Sequence, residues 1–146
     1  WVSLTIENFR VLEDHFCFSV YNTSHAIQHV YQPTLAQHGL TYPQYLVLVI
    51  LYKQQGATVK ELGTQLHLGT GTTTPLLKRM EKMGLVNRQR NPADERSVKL
   101  TLTPAGEQER INLKELPDLL MQQANLTDDE WVQLTNLTNK LMHALN

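Results

Sequence analysis

Residues 58–84 read TVKELGTQLHLGTGTTTPLLKRMEKMG, and few folds accommodate such a run. Thr58 can cap a helix reaching Leu66, because its hydroxyl accepts from the N–H three residues on while Glu61 reaches back. A short Gly/Thr turn follows, and a second helix runs to about Met83 and stops at Gly84. Two short helices joined by a tight glycine-bearing turn, the second one basic, make a helix-turn-helix pattern. Thr70, Thr72, Thr73 and Thr74 open that second helix, and Lys78, Arg79 and Lys82 follow. Hydroxyls of this kind reach base edges or phosphates in a major groove, and the cations neutralise phosphates. An ordinary surface pair of helices carries the same local pattern, so the neighbouring residues decide.

The next stretch, LVNRQRNPADERSVKLTLTP, alternates apolar and polar residues over Leu85–Arg90 and Ser97–Leu102. Asn91-Pro92-Ala93-Asp94 between them is turn chemistry. A β-hairpin directly after a basic helix is a wing. Arg88, Arg90 and Arg96 lie on it, with Asp94 and Glu95 able to brace an arginine. An arginine on a thin ribbon can enter a minor groove, where negative potential concentrates. Charge agrees: residues 57–103 hold eight bases and four acids, a net of +4, which leaves −5 for the remainder of a chain whose net is −1. A basic middle between acidic ends suits a polyanion-binding module. The expected fold is therefore mainly α with a small β-hairpin wing. The winged helix-turn-helix occupies residues 43–103 of one 146-residue unit, and helices over 4–40 and 104–146 flank it.

The first flank reads as one long helix over 4–38, with Leu12, Phe16, Val20, Ile27, Val30 and Leu35 at helical spacings. Pro33 is expected to kink or break it near its end, and Gly39 to stop it. Thr41-Tyr42-Pro43-Gln44 starts a second helix whose run YLVLVILY is apolar almost all round, hence central. Thr103-Pro104 starts another, which Pro117 should interrupt. Thr127-Asp128-Asp129-Glu130 caps a last helix bearing Leu134, Leu137, Leu141 and Leu145 on one face. Both flanks carry more apolar surface than a small domain needs, so pairing with a second subunit is expected. No apolar run approaches the ~18–20 residues of a membrane span, and no basic flank with an apolar h-region marks a signal peptide. One cysteine fits a reducing cytoplasm.

That cysteine, Cys17, lies between Phe16 and Phe18, with Tyr21 one helical turn on and Tyr31 and Tyr42 beyond. A lone buried thiol is most simply a small hydrophobe, and the tyrosine spacings argue for more. In a helix Tyr31 is about 320° around from Cys17, nearly the same face, but about 21 Å along the axis. Tyr31 therefore cannot touch the Cys17 of its own chain. A meeting requires a second, antiparallel copy. Other chemistry lacks support. His25 and His29 are at i,i+4, a legal metal spacing, but no third ligand accompanies them. No Walker, Rossmann, Gly-x-Ser-x-Gly or His-Glu-x-x-His pattern is present, so neither an enzyme nor a cofactor is expected.

LTYPQYLVLVILY, GTTTPLLKRMEKMGLVNRQR and NPADERSVKLTLTPAG resemble the MarR family of winged-helix transcription regulators over roughly residues 12–145. Within it, FCFSVYNTS and LTYPQYLVL are similar to the OhrR-type organic-hydroperoxide sensors. The resemblance implies a homodimer on palindromic operator DNA. It also implies a redox site in which Tyr31 and Tyr42 of one subunit meet Cys17 of the other, with Tyr21 alongside. The thiolate is the form that attacks a peroxide, and phenolic donors favour it. Attack gives a sulfenic acid, then a mixed disulfide with a low-molecular-weight thiol. Two departures stand out. Gly69-Thr70-Gly71-Thr72 replaces the family's Asp-Ser-Gly-Thr, so Thr70 or Thr72 is expected to cap the helix. The second, resolving cysteine of some members is also absent. The alternative is a MarR-like regulator answering a small aromatic ligand, with Cys17 uninvolved. A thiol peroxidase with no DNA role would have no use for the arginines of the wing.

Overall fold

The computed structural model describes residues 15–146, apart from the side chains of Glu95 and Arg96. The expected helix start at residue 4, and Leu12, lie outside the described residues. The described chain runs α1 (Phe16–Gln37), α2 (Tyr42–Gln54), β1 (Ala57–Thr58), α3 (Val59–Leu66), α4 (Thr70–Lys82), β2 (Val86–Asn91), β3 (Asp94–Leu102), α5 (Pro104–Asn112), α6 (Leu116–Ala124) and α7 (Asp128–Leu145).

Local chemistry sets most of these bounds. Thr41/Gln44, Thr58/Glu61 and Thr127/Glu130 form reciprocal capping boxes at the starts of α2, α3 and α7. Of the kink or break expected at Pro33, no break occurs: the helix continues to Gln37, after which Gly39 at φ +66° turns the chain. Tyr31 and Leu35, both buried on either side of Pro33, hold that turn in place while the proline faces solvent. The interruption expected at Pro117 does occur. α5 ends at Asn112, and Pro117 sits in the first turn of α6, where it costs no hydrogen bond.

The expected hairpin forms from β2 and β3, and β1 extends it to a three-stranded antiparallel sheet, ordered β1-β3-β2. The two residues of β1 pair Ala57 with Leu100 and Thr58 with Lys99, so the entry to α3 is hydrogen-bonded to the base of the wing. The core is centred on α2, whose Tyr45, Val47, Leu48 and Leu51 are buried against Leu62, Leu76, Leu77 and Met80 of α3–α4 and Leu100 of β3. Each such side chain contributes about 1.5–3 kcal/mol by leaving water. The apolar stripe of α7 behaves differently: Leu134, Leu137, Leu141 and Leu145 are all exposed. No helix among the described residues is long and apolar enough to cross a membrane.

Candidate nucleic-acid interface and thiol site

α3 ends at His67, whose left-handed backbone lets Leu68 N–H return to Gly63 O at 2.9 Å. Gly63 makes this reversal possible, because a Cβ there would lie 3.0 Å from Leu68 O and 3.2 Å from Thr73 Oγ1. α4 then begins, but not with the expected threonine cap. Gly69 is the N-cap and no side chain closes the helix start. Thr73 is the residue whose place differs most from expectation. It is buried, and its hydroxyl donates to Gly69 O at 3.0 Å, so it locks the turn and is closed to an outside partner. Thr70, Thr72, Lys78, Arg79 and Lys82 remain exposed, with Thr74 half-buried.

The wing adjoins this helix. Asn91 pairs with Asp94 at its tip, and Ala93 N–H donates to Asn91 Oδ1 at 3.0 Å, the side-chain turn that Asn-Pro chemistry favours. Arg90 is exposed on β2 opposite Val98. Arg88, one turn of pleat earlier, is half-buried with Nε 3.3 Å from Glu81 Oε2 of α4. It braces strand to helix, so it offers less charge to a partner than Arg90. The Arg96 side chain is outside the described residues.

Cys17 is exposed in the first turn of α1, and Tyr21 is exposed one turn on. Tyr31 and Tyr42 gather far from them. Their rings lie 5.7 Å apart, and Tyr45 completes a triad at 5.8 Å from Tyr31 and 6.2 Å from Tyr42. Within one chain, then, the structure brings the tyrosines together and leaves the thiol apart. Because α1 is continuous between Cys17 and Tyr31, the axial separation of about 21 Å stands. Tyr45 was not anticipated; its i,i+3 spacing from Tyr42 is the signal that pointed to it.

Burial raises the phenols of Tyr31, Tyr42 and Tyr45, and Arg110 opposes the shift at Tyr45. Tyr31 is pushed up to about 12, first by burial, then by Tyr45 and Tyr42. All three are hydrogen-bond donors at neutral pH. The raised phenol also sets a sign for stability. Between pH 10 and 12 the folded chain keeps a proton that the unfolded chain releases, so that contribution is complete below pH 10 and is lost as pH rises through this window. Urea unfolding at pH 9 and pH 11 should show the loss in the wild type and a smaller one in Tyr31→Phe. Equal losses would place the alkaline sensitivity elsewhere.

Comparison with known proteins places this architecture. The MarR family model matches residues 40–98, the span from the end of α1 to the wing. The HTH-type transcriptional regulator TtmR of Methylorubrum extorquens is 44% identical over 82% of the chain, a match that spans 61% of TtmR itself. The organic hydroperoxide resistance transcriptional regulator of Bacillus subtilis is 37% identical over 92% of each chain. The structure of reduced AbfR bound to DNA, a Staphylococcus epidermidis protein, superposes with a TM-score of 0.75 at 35% identity, covering 96% of this chain and 98% of that one. With a capped α3, a basic α4 and a hairpin wing in this order, the chain belongs to the MarR family and is a winged-helix transcriptional regulator, not an enzyme.

Proposed function

We propose that the protein is a cytoplasmic homodimeric repressor that grips palindromic operator DNA when reduced and releases it when an organic hydroperoxide oxidises Cys17. The observation that carries this reading is the split site: an exposed thiol at one end of α1 and a buried phenol cluster at the other. An antiparallel partner would bring each thiol to the other chain's Tyr31 and Tyr42. Support for pairing comes from the exposed apolar residues of the terminal elements. Phe16, Val20 and Tyr21 on α1 and Val132, Leu134, Leu137 and Leu145 on α7 are too many for a lone chain in water. The similarity to the Bacillus hydroperoxide regulator supports the input.

The chemistry balances with two small molecules. The Cys17 thiolate attacks the distal peroxide oxygen; an S–O bond forms, the O–O bond breaks, and the alcohol leaves. A low-molecular-weight thiol then displaces water from the sulfenic acid, forming a mixed disulfide. Phe16 and Phe18 beside the thiol favour greasy peroxides. The added bulk would displace the tyrosines and shift α4 in the partner-matched pair.

On the DNA side, Thr70, Thr72, Thr74, Lys78, Arg79 and Lys82 would face the major groove and Arg90 and Arg96 the minor groove. Replacing Arg96 with Ala should weaken specific duplex binding by about 1–3 kcal/mol with the fold intact. Unchanged affinity would remove the wing tip from the interface. The reading as a whole is tested by measuring release of bound duplex before and after cumene hydroperoxide, with intact mass in parallel. Release accompanied by a mass gain at Cys17 supports it; a mass gain without release sinks it.

A further inference from the structure

α5 is fastened at both ends, by different means. At its start, Thr103 is saturated: its hydroxyl donates to Gly84 O at 2.6 Å and accepts from Gly106 N–H at 3.0 Å, while Thr103 N–H donates to Leu85 O at 3.0 Å. Gly84 and Leu85 follow α4 directly, so the end of the recognition helix, the root of the wing and the start of α5 form one node. Gly106 is essential to it, since a Cβ there would sit 2.1 Å from Leu85 O.

Near the other end, adjacent residues grip two different helices. Glu109 Oε1 is shut off from solvent and lies against His38 Nδ1, at the C-cap of α1. Arg110 stands over the Tyr52 ring of α2, 5.9 Å from its centroid, and its charge is felt at Tyr45 in the tyrosine triad. Gly106 and Glu109 are three positions apart, less than one helical turn. Helical backbone over so short a span is stiff, so a displacement at one end is passed to the other.

We infer that α5 is a rigid strut, and that the Glu109–His38 contact is a positioning latch which fixes the recognition helix relative to the α1–α2 layer and thereby regulates operator affinity. The inference rests on the reading that α4 meets DNA; the thiol enters only in its second half. Without the latch, the body formed by α4, wing and α5 samples poses that do not fit the operator, and apparent affinity falls by the competent fraction. The contact lies outside the tyrosine triad and away from Cys17, so thiol chemistry is untouched.

The test uses the full-length reduced protein and a duplex that the wild type selects from a random pool. Glu109→Ala and His38→Ala should each weaken binding by about three- to tenfold. The double variant should be no weaker than the weaker single, because one contact is lost only once. Glu109→Gln, whose amide oxygen can accept from a His38 Nδ1–H, should restore binding. Losses that add, or single-variant affinities within about twofold of wild type in folded protein, would overturn the latch. Should Glu109→Ala fail to fold, Glu109→Met, of similar size and helix preference but unable to pair with His38, replaces it in the cycle. In the second half, wild type and Glu109→Ala are oxidised with cumene hydroperoxide to equal mass gain. The ratio of reduced to oxidised affinity should shrink in the variant, and an equal ratio would overturn the regulatory role. A wild type indifferent to hydroperoxide would sink the thiol reading alone, and the strut would then be judged on the double-mutant cycle.

Discussion

A Cys17→Ser protein is expected to bind operator DNA as tightly as the reduced wild type and to hold it after hydroperoxide treatment, a complete loss of response. Serine keeps the size and hydrogen bonding of the thiol but cannot form a sulfenic acid. Tyr31→Phe and Tyr42→Phe should keep reduced binding and slow oxidation, each by about tenfold, the worth of one hydrogen bond to a charged group. Neither should abolish it, since the other phenol remains. Mixed dimers sharpen the test. A Cys17→Ser chain paired with a Tyr31→Phe chain has one thiol, in the Tyr31→Phe chain, facing the intact Tyr31 of its partner. That thiol should oxidise at the wild-type rate. A slow rate would mean that Tyr31 acts within its own chain. Release of DNA by Cys17→Ser on peroxide treatment would make the thiol a bystander and favour the reading in which a small aromatic ligand is the signal.

Gly106→Ala should be the most damaging single methyl in the chain. The added carbon would meet a backbone carbonyl at 2.1 Å, and neither Leu85 nor the start of α5 has a flexible end that can yield. Relief requires parting Thr103 from Gly84 and Leu85, with loss of two hydrogen bonds. A cost of about 3 kcal/mol or more follows, roughly 10 °C in Tm. Gly69→Ala is the control, because nothing lies within 4 Å of a Cβ at that position. A Gly106→Ala protein melting with the control would show that the α4–wing–α5 node relaxes freely.

What the chain discloses before folding depends on range. The boxes at Thr41/Gln44, Thr58/Glu61 and Thr127/Glu130 are legible because donor and acceptor are three residues apart. The wing is legible for the same reason, its turn being closed by Asn91 and Asp94. That Pro33 leaves α1 unbroken is not legible locally, because a proline's penalty is outweighed by tertiary burial of Tyr31 and Leu35. β1 is two residues long and is stabilised by a strand some forty residues away, so no local pattern announces it. Thr73 looks like its neighbours in a threonine run, and only the packing of α3 on α4 separates the buried one from the exposed ones. His38–Glu109 and Arg110–Tyr52 join elements far apart in sequence and carry no periodic signal. Of the proposed pairing of Cys17 with Tyr31, only the prohibition within one chain is legible in the sequence.

The helices of this protein are not equally self-sufficient. α2, α3 and α7 close their own first turns with side chains, whereas α4 starts at a glycine that closes nothing. Thr72 N–H turns back to Gly69 O at 3.0 Å, and the N–H groups of Thr70 and Gly71 are left to whatever the solvent provides. Local opening should begin there, and amide exchange should be fastest there among the buried helices. A backbone phosphate is the group best matched to such an end, by geometry and by sign. Operator DNA would then do more than receive a finished helix. It would complete one, and part of the energy of recognition would be spent on ordering the recognising element itself.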